Sequence, residues 1–330
     1  MNPHPDRPAI PPAARPRLLV TRRVFPQTLE MLEPHFDLDT NQDDLEHGAD
    51  AVRARAAGCD ALFVVATDRV DRALIDACPR LRIVATGSVG HNHIDLAACA
   101  ERGIRVTNTP DVLTEATADM AFALLMAAAR RITESERWLR AGHWQRWAFD
   151  QFLGQDVWGS TIGIVGMGRI GSGIARRARG FGMQVLYHNR SAAPNEAELG
   201  AERVELDDLL ARADHVVLVL PYSAQSHHLV GARELALMKP TATLVNIARG
   251  GIVDDAALAQ ALKAGRPAVA GLDVYEGEPA LNPALLALDN VVLTPHIGSA
   301  TRTSRVGMAA LAARNLVAWA RGEPLPSAVA

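Results

Sequence analysis

The chain has few cysteines and no pattern that would join them. Only Cys59, Cys78 and Cys99 occur in 330 residues, and no two of them have the spacing of a redox or zinc motif. An odd number of widely separated cysteines excludes a disulfide framework and a cysteine-based zinc site. We therefore expect three small, buried hydrophobic side chains without a chemical role.

Neither sign of charge predominates, and no apolar stretch is long. Lys and Arg number 34 against 37 Asp and Glu, a formal net charge of −3, which disfavours a nucleic-acid partner or an anionic membrane surface. The longest apolar stretch, around 120–129, is shorter than the roughly 20 residues that span a bilayer. The proline-rich residues 1–16 lack the apolar segment of a signal peptide. We expect a disordered leader and a cytoplasmic protein.

The sequence does contain a repeated alternation of short β-branched runs and helical segments. At roughly 150 residues per domain, this length gives about two domains. One series of alternating segments starts at Arg17, and a second runs from Thr161 to Gly298. This rhythm is typical of parallel sheets covered by helices. The predicted fold class is α/β, with two Rossmann-like or flavodoxin-like doubly wound parallel-sheet domains and a cleft between them.

Two helices and one irregular segment complete this organisation. Thr114 is predicted to cap a helix that is apolar nearly all round and therefore buried between layers. Four of the five tryptophans follow in a polar segment, which fits either a local aromatic core or a subunit interface. The last helix is expected to end at Gly322 and to place four residues on one face, namely Val306, Ala310, Ala313 and Val317.

A glycine motif directly follows the first strand of the second series. Gly166, Gly168 and Gly171 form G-x-G-x-x-G between an apolar strand and a helix that leads to another strand, which is the context of a dinucleotide-binding unit. Gly166 would permit the tight turn, Gly168 the approach of a pyrophosphate, and Gly171 the close packing of helix on strand. The helix N-terminus would supply free N–H groups for the phosphates.

The end of the next strand indicates which dinucleotide binds. An acidic residue there would accept hydrogen bonds from a ribose 2′-hydroxyl, but the chain has Asn189 followed by Arg190. Asn189 does not repel a 2′-phosphate, and Arg190 can pair with one. We predict that NADPH is preferred. The alternative is a solvated Arg190 and an enzyme that accepts NADH as well.

Three ionisable residues follow later strands. They are Arg249, Glu278 and His296, and strand ends at the carboxyl edge are where ligands bind in such sheets. Arg249 would hold a substrate carboxylate and polarise a carbonyl, His296 would donate a proton, and Glu278 would orient the imidazole and favour its charged form. Each residue alone also fits a purely structural role. Their common placement after a cofactor-type glycine motif favours carbonyl reduction.

The remaining histidine pairs give no metal prediction. His91 and His93 flank Asn92, and His227 precedes His228, but neither pair has the carboxylate or cysteine companions of a convincing metal site. We predict no metal site.

Together these motifs resemble the D-isomer-specific 2-hydroxyacid dehydrogenases, and within them the glyoxylate/hydroxypyruvate reductase branch. The resemblance covers the chain after about Arg17 and is carried by TGSVGHNHIDLAACAERGIRVTNTPDVLTEATAD, GSTIGIVGMGRIG, LVNIARGGIVDDAALAQAL, AGLDVYEGEP, VVLTPHIGSAT and NLVAWARGEPLPS. It implies a discontinuous substrate-binding domain and an inserted NAD(P)-binding domain, and a homodimer made largely through a segment at about 117–158. The domain ranges are 17–108 with 300–330, and 109–299.

The resemblance also assigns site residues. Arg249, Glu278 and His296 match the family's catalytic positions. The substrate would be held by the backbone of Val89 and Gly90, by Arg249 and His296, and by the nearby Ser299. Eight further positions match cofactor contacts and join the glycines, Asn189, Arg190, Arg249 and His296 in the predicted cofactor site: Arg169, Ile170, Leu220, Pro221, Ile247, Ala248, Asp273 and Gly298, with Asp273 facing the nicotinamide amide.

The implied activity is NADPH-dependent reduction of glyoxylate or hydroxypyruvate to glycolate or D-glycerate. Asn189–Arg190 replaces the aspartate of NAD-dependent members, which makes D-3-phosphoglycerate dehydrogenase a poorer match. Asn92 stands where the family often has Asp, so the roles of His91, Asn92 and His93 stay open. The alternatives are a reductase of a longer 2-keto acid such as 2-ketogluconate, and an NAD(P)-sensing protein like the corepressors of this fold.

Overall fold

The computed structural model describes residues 15–329. The predicted leader, except for its last two residues, lies outside this range. The described chain divides into two compact units, one containing the residues up to Pro110 and from Val306 onward, the other Asp111–Arg305. The chain therefore passes from the first unit to the second after residue 110 and returns after residue 305. The sequence predicted these boundaries after residues 108 and 299.

The first unit is built on a five-stranded parallel sheet in the order β2-β1-β3-β4-β5. Its central strands are buried along their whole length, because side chains pack on both faces of the sheet. The strands are β1 Arg17–Val20, β2 Asp37–Thr40, β3 Ala61–Val64, β4 Ile83–Thr86 and β5 Arg105–Thr107. The helices are α1 Pro26–Leu32, α2 Ala49–Ala56, α3 Arg72–Ala77 and α4 Leu96–Glu101.

The second unit holds a seven-stranded parallel sheet. Its strands are β6 Thr161–Val165, β7 Gln184–His188, β8 Ala201–Arg203, β9 His215–Leu218, β10 Thr243–Asn246, β11 Val269–Leu272 and β12 Val291–Leu293. The helices are α5 Thr114–Ala129, α6 Ile132–Arg140, α7 Arg169–Gly180, α8 Glu196–Leu199, α9 Leu206–Arg212, α10 Ala232–Leu237, α11 Asp255–Lys263 and α12 Pro283–Leu286, followed by α13 Arg302–Arg321, which continues into the first unit.

The strand order in this sheet, β12-β11-β10-β9-β6-β7-β8, reverses direction between β6 and β9. From β6 the chain first builds β7 and β8 on one side and then returns to add β9 to β12 on the other. Such a switch point opens a crevice at the carboxyl ends of the two strands, where ligands bind in sheets of this type. These findings confirm the α/β class with two doubly wound parallel sheets.

Two details of the helices differ from the predictions. Helix α5 is buried as expected, but Leu113 is its N-cap and no side chain caps it, because a turn at Asp111 already places Thr114 in the helix. In α13 four buried residues join the core on one face of the first sheet, namely Ala309, Ala312, Ala313 and Leu316, and further buried residues lie beside them. Only Ala313 of the predicted face is fully buried. The many alanines of this helix give several stripes of similar hydropathy, and packing decides between them.

Within residues 15–329, no helix is both long enough and apolar enough to cross a lipid bilayer.

Candidate active site

The three glycines of the motif occupy the turn between β6 and α7 and differ in what surrounds them. Gly166 has φ +109°, and a Cβ on it would lie 2.9 Å from the backbone nitrogen of Leu220. A Cβ on Gly171 would lie 2.2 Å from the carbonyl oxygen of Gly166. A Cβ on Gly168 would meet no described atom within 4 Å. The turn and the packing require glycine at two positions, while the open space at the third, before the N-terminus of α7, fits a pyrophosphate.

The turn after β7 is tied to this glycine loop. The Asn189 side-chain oxygen accepts a hydrogen bond of 2.9 Å from the backbone N–H of Met167. The Arg203 guanidinium donates to the carbonyl oxygens of Asn189 and Arg190, each at 3.0 Å. The Arg190 side chain is exposed and forms no ion pair with any residue of 15–329. Two arginines therefore lie at this strand end. The sequence motifs did not identify Arg203, because it belongs to another strand, β8.

His296 and Glu278 form a close pair. Nδ1 of His296 lies 2.6 Å from Oε1 of Glu278, and both side chains are about one-third exposed. Burial acts to raise the pKa of Glu278, but the hydrogen bond and charge of His296, the backbone N–H of Tyr275 and the charge of Arg249 outweigh it and bring the pKa below its usual value. Glu278 is therefore ionised at neutral pH and holds Nδ1, which leaves Nε2 for proton transfer.

The loop that carries His296 is fixed by Asp273 at the end of β11. The Asp273 carboxylate is buried and accepts hydrogen bonds from the Thr294 hydroxyl (2.6 Å) and from the backbone N–H groups of Ile297 (2.8 Å) and Gly298 (2.7 Å). His296 itself has φ +52°, in the left-handed region. Asp273 was expected at a nicotinamide amide. Its hydrogen bonds in the structure show a further role in positioning the histidine loop, and the cofactor contact stays a prediction.

Arg249 follows β10 and shares the electrostatic environment of Glu278. Its Nη1 donates to the carbonyl oxygen of Ala248 at 2.7 Å. Burial lowers the pKa of Arg249, and the negative charge of Glu278 acts in the opposite direction. A Cβ on Gly250 would lie 1.7 Å from the carbonyl oxygen of Tyr275, so only glycine permits the backbone contact between these two loops. The predicted arginine, carboxylate and histidine thus follow three neighbouring parallel strands, β10, β11 and β12, at the same edge of the sheet.

This arrangement contains a cation for a carboxylate, a carboxylate-backed imidazole for proton transfer and a glycine loop for a dinucleotide. Residues 122–298 match the sequence family described as D-isomer specific 2-hydroxyacid dehydrogenase, NAD binding domain. The chain belongs to the D-isomer-specific 2-hydroxyacid dehydrogenases. It is accordingly an oxidoreductase that acts on CH–OH groups and binds a nicotinamide cofactor.

Similar proteins cover nearly the whole dehydrogenase. The chain is 50% identical over 320 residues to a glyoxylate reductase of Thermococcus kodakarensis, with 96% of each chain covered. It is 49% identical to the glyoxylate reductase of Thermococcus onnurineus, with the same coverage. The NADPH-dependent glyoxylate/hydroxypyruvate reductase of Sinorhizobium meliloti, solved with NADP and malonate, is 37% identical, with a TM-score of 0.87 and 96% and 97% of the two chains covered.

The other predicted cofactor contacts of the dehydrogenase lie at strand ends of the second unit or on α7. Arg169 forms an ion pair of 2.7 Å with Asp111, and both side chains are 69% exposed. The rest range from buried to exposed: Ile247, Ala248 and Gly298 are buried, Ile170, Leu220 and the predicted substrate contact Ser299 are half-buried, and Pro221 is exposed.

Val89 and Gly90 belong to the first unit, in the loop after β4. The carbonyl oxygen of Gly90 accepts a hydrogen bond of 2.6 Å from the Ser88 hydroxyl, and that of Val89 accepts one of 2.8 Å from the Asn108 amide. The loop backbone is therefore held from within its own unit. Binding of substrate by Val89 and Gly90 stays a prediction.

The two histidine pairs have different surroundings. Nε2 of His93 lies 3.1 Å from the Thr86 hydroxyl. Nε2 of His228 lies 3.1 Å from a carboxylate oxygen of Glu276. The premise that the pair at 227 and 228 has no carboxylate companion is therefore wrong, because Glu276 approaches it from a distant part of the sequence.

Proposed function

We propose that this dehydrogenase reduces glyoxylate and hydroxypyruvate, to glycolate and D-glycerate, with NADPH as the preferred cofactor. The observation that carries the proposal is the 2.6 Å contact between His296 and Glu278 in the electrostatic environment of Arg249. Small 2-keto acids offer the carboxylate and the adjacent carbonyl that such a group of side chains recognises. The names of the similar proteins from Thermococcus and Sinorhizobium support the same substrates.

Each side chain has a defined task in this reaction. A bound reduced nicotinamide supplies a hydride to the carbonyl carbon. Arg249 pairs with the substrate carboxylate and polarises the carbonyl group. His296 donates its Nε2 proton to the carbonyl oxygen as the alkoxide develops. Glu278 accepts the Nδ1 proton in a hydrogen bond and stabilises the imidazolium before transfer. One hydride and one proton convert the keto group into a hydroxyl group.

The preference for NADPH rests on the strand end after β7. Arg190 is exposed and has no ion-pair partner within residues 15–329, so it can pair with a 2′-phosphate. Arg203 adds a second positive charge and holds the carbonyl groups of residues 189 and 190 in place. Asn189 contributes no negative charge. This strand end therefore attracts the 2′-phosphate of NADPH. It lacks the carboxylate that would bind the ribose of NADH.

The proposal is tested with a panel of 2-keto acids, assayed by the absorbance of the reduced cofactor. We expect the highest kcat/KM with glyoxylate and hydroxypyruvate and a higher value with NADPH than with NADH. A clear preference for 2-ketogluconate would assign the enzyme to longer substrates. Binding of NADPH without turnover of any 2-keto acid would contradict the enzymatic function and favour a sensor.

We also propose a homodimer formed through the tryptophan segment. Five large apolar side chains of this segment are 58–89% exposed and form the aromatic patch: Trp144, Trp147, Phe149, Leu153 and Trp158. Trp138 instead packs edge-on against Phe152 at 5.3 Å, so part of the segment forms a local core. Exposed aromatic side chains are enriched at interfaces. A second copy of the chain is the partner that the family resemblance implies.

A further inference from the structure

A second group of ionisable side chains lies outside the catalytic trio. His227 and His228, in the loop after β9, and Glu276, in the loop after β11, each offer one ligand atom, and these atoms lie within 4.8 Å of one another. Nε2 of His228 lies 3.1 Å and 3.2 Å from the two carboxylate oxygens of Glu276. Two ligands that are each about 2 Å from one ion are at most about 4 Å apart, so a single ion would draw these side chains slightly closer together.

The two imidazoles are held in place by their own loop and by the loop after β10. Their rings are stacked with centroids 3.9 Å apart. The backbone N–H of His228 donates to the carbonyl oxygen of Gly251 at 2.7 Å. His227 packs against the same residue, where a Cβ on Gly251 would come within 3.4 Å of its Nδ1. The histidines therefore need little reordering to bind an ion, which lowers the entropic cost of binding.

A polar side chain lies near Nδ1 of each histidine. The hydroxyl of Tyr222 lies 3.2 Å from Nδ1 of His227, and a carboxylate oxygen of Asp254 lies 4.0 Å from Nδ1 of His228. In metal sites the second ring nitrogen of a histidine ligand usually donates to such a partner, which fixes the ring orientation and raises its basicity. With the Tyr222 contact kept, His227 would bind through Nε2, and Nε2 is also the nitrogen of His228 that faces Glu276.

We propose that His227, His228 and Glu276 form a site for a transition-metal dication of the Zn²⁺ class. Imidazole nitrogens suit zinc, nickel and copper, and one carboxylate partly neutralises the charge. Three protein ligands leave a fourth tetrahedral position for water or another ligand.

The ion would connect the loops after β9 and β11, and the first of these is hydrogen-bonded to the loop after β10 through His228 and Gly251. Glu276 stands two residues before Glu278, and Gly251 stands two residues after Arg249. The backbone N–H of Glu276 is held in addition by the Asp255 carboxylate at 3.0 Å. A bound ion therefore links the loop of Glu278 to the loop after β9, and we expect it to stabilise the folded protein.

The test is Zn²⁺ titration of the untagged, metal-stripped full chain, by calorimetry and by thermal unfolding. We expect one Zn²⁺ per chain and a Tm that rises with Zn²⁺ concentration. His228→Asn and Glu276→Gln should each weaken binding at least tenfold, about the smallest effect seen when a metal site loses a supporting partner. Asparagine suits the left-handed backbone at 228, where φ is +51°. His47→Asn, which removes a histidine of the first unit, is the matched control and should bind like the wild type.

Spectra of the Co²⁺-loaded protein provide a second readout. Absorption in the visible range with the intensity of tetrahedral Co²⁺ should appear in the wild type and in the control and be absent from both site variants. No Zn²⁺ binding by the wild type, or equal binding by the wild type and both variants, would overturn the proposal. Binding that is lost in His296→Ala and kept in His228→Asn would assign the ion to the catalytic pair and would equally overturn it.

Discussion

At the scale of single residues, His296 is the proposed proton donor. Replacing it with alanine removes the donor and leaves the glycine loop unchanged. We expect His296→Ala to lower kcat by roughly 10²–10⁴-fold, while the Kd for NADPH, measured by fluorescence titration, stays close to that of the wild type. Turnover at the wild-type rate would remove His296 from the mechanism.

Glu278 holds the ring of His296 through the 2.6 Å contact with Nδ1. Glu278→Gln keeps a side chain of similar size and removes the carboxylate that accepts the Nδ1 proton, so kcat should fall. The Kd for NADPH, measured by fluorescence titration, should stay close to that of the wild type, because the glycine loop is unchanged. A kcat equal to that of the wild type would mean that the Glu278 carboxylate does not support the histidine in the reaction.

The lowered pKa of Glu278 has a separate effect on stability. A carboxyl whose folded-state pKa lies below its usual 4.5 stabilises the protein fully above that value, and this contribution is lost as pH falls through the lowered pKa. Acid titration of unfolding should therefore show a smaller loss of stability below pH ~4.5 in Glu278→Gln than in the wild type.

Asn189 and Arg190 should determine the cofactor preference. Arg190→Gln removes a charge-assisted bond worth about 1.5–3 kcal/mol, so kcat/KM with NADPH should fall roughly tenfold to a hundredfold while the value with NADH changes little. Asn189→Asp should move the preference further towards NADH. Arg69→Gln, an exposed arginine of the first unit, serves as control. A wild type that prefers NADH would contradict the cofactor proposal.

At the scale of secondary-structure elements, one glycine of the β6–α7 turn is needed for folding and another for dinucleotide binding. A Cβ at Gly171 would collide with the backbone at Gly166, whereas one at Gly168 meets open space. Gly171→Ala should lower the free energy of unfolding by about 1–3 kcal/mol. Gly168→Ala should keep its stability and weaken dinucleotide binding. Urea unfolding and cofactor titration of both variants test the difference, and equal stability losses would contradict it.

The sequence was informative wherever one segment contained the whole signal. The glycine motif with its flanking strand and helix, and the ionisable residues at strand ends, could be found because strand, turn and helix are contiguous. In the structure, Arg249, Glu278 and His296 follow parallel strands that end at the same edge, and His296 and Glu278 are in contact.

The interactions that the sequence could not reveal join distant segments. Arg203 supports the backbone of Asn189 from a neighbouring strand, and Glu276 reaches His228 across 48 positions. Asp273 was found as a candidate, but its three hydrogen bonds to the histidine loop follow from the pairing of β11 with β12. Such contacts depend on strand order, which periodicity and composition do not specify.

At the scale of the whole molecule, the aromatic patch should govern assembly. Burial of these rings in a dimer removes a large apolar area from water. We expect the wild type to have twice the chain mass by light scattering, and the double variant Trp147→Ser with Phe149→Asp to shift towards the monomer. Leu286→Asp, an equally exposed leucine outside the patch, should leave the mass unchanged. A monomeric wild type would contradict the dimer.

The left-handed backbone conformation of His296 lowers the stability of the loop at a position where the reaction needs a side chain. A side chain at φ +52° costs about 1–2 kcal/mol relative to glycine, which adopts this region freely. Glycine at 296 would relieve that cost and remove the proposed proton donor at the same time. Selection for a more stable loop would favour glycine at position 296, whereas selection for turnover favours histidine. Histidine is therefore kept only while the reaction benefits the cell.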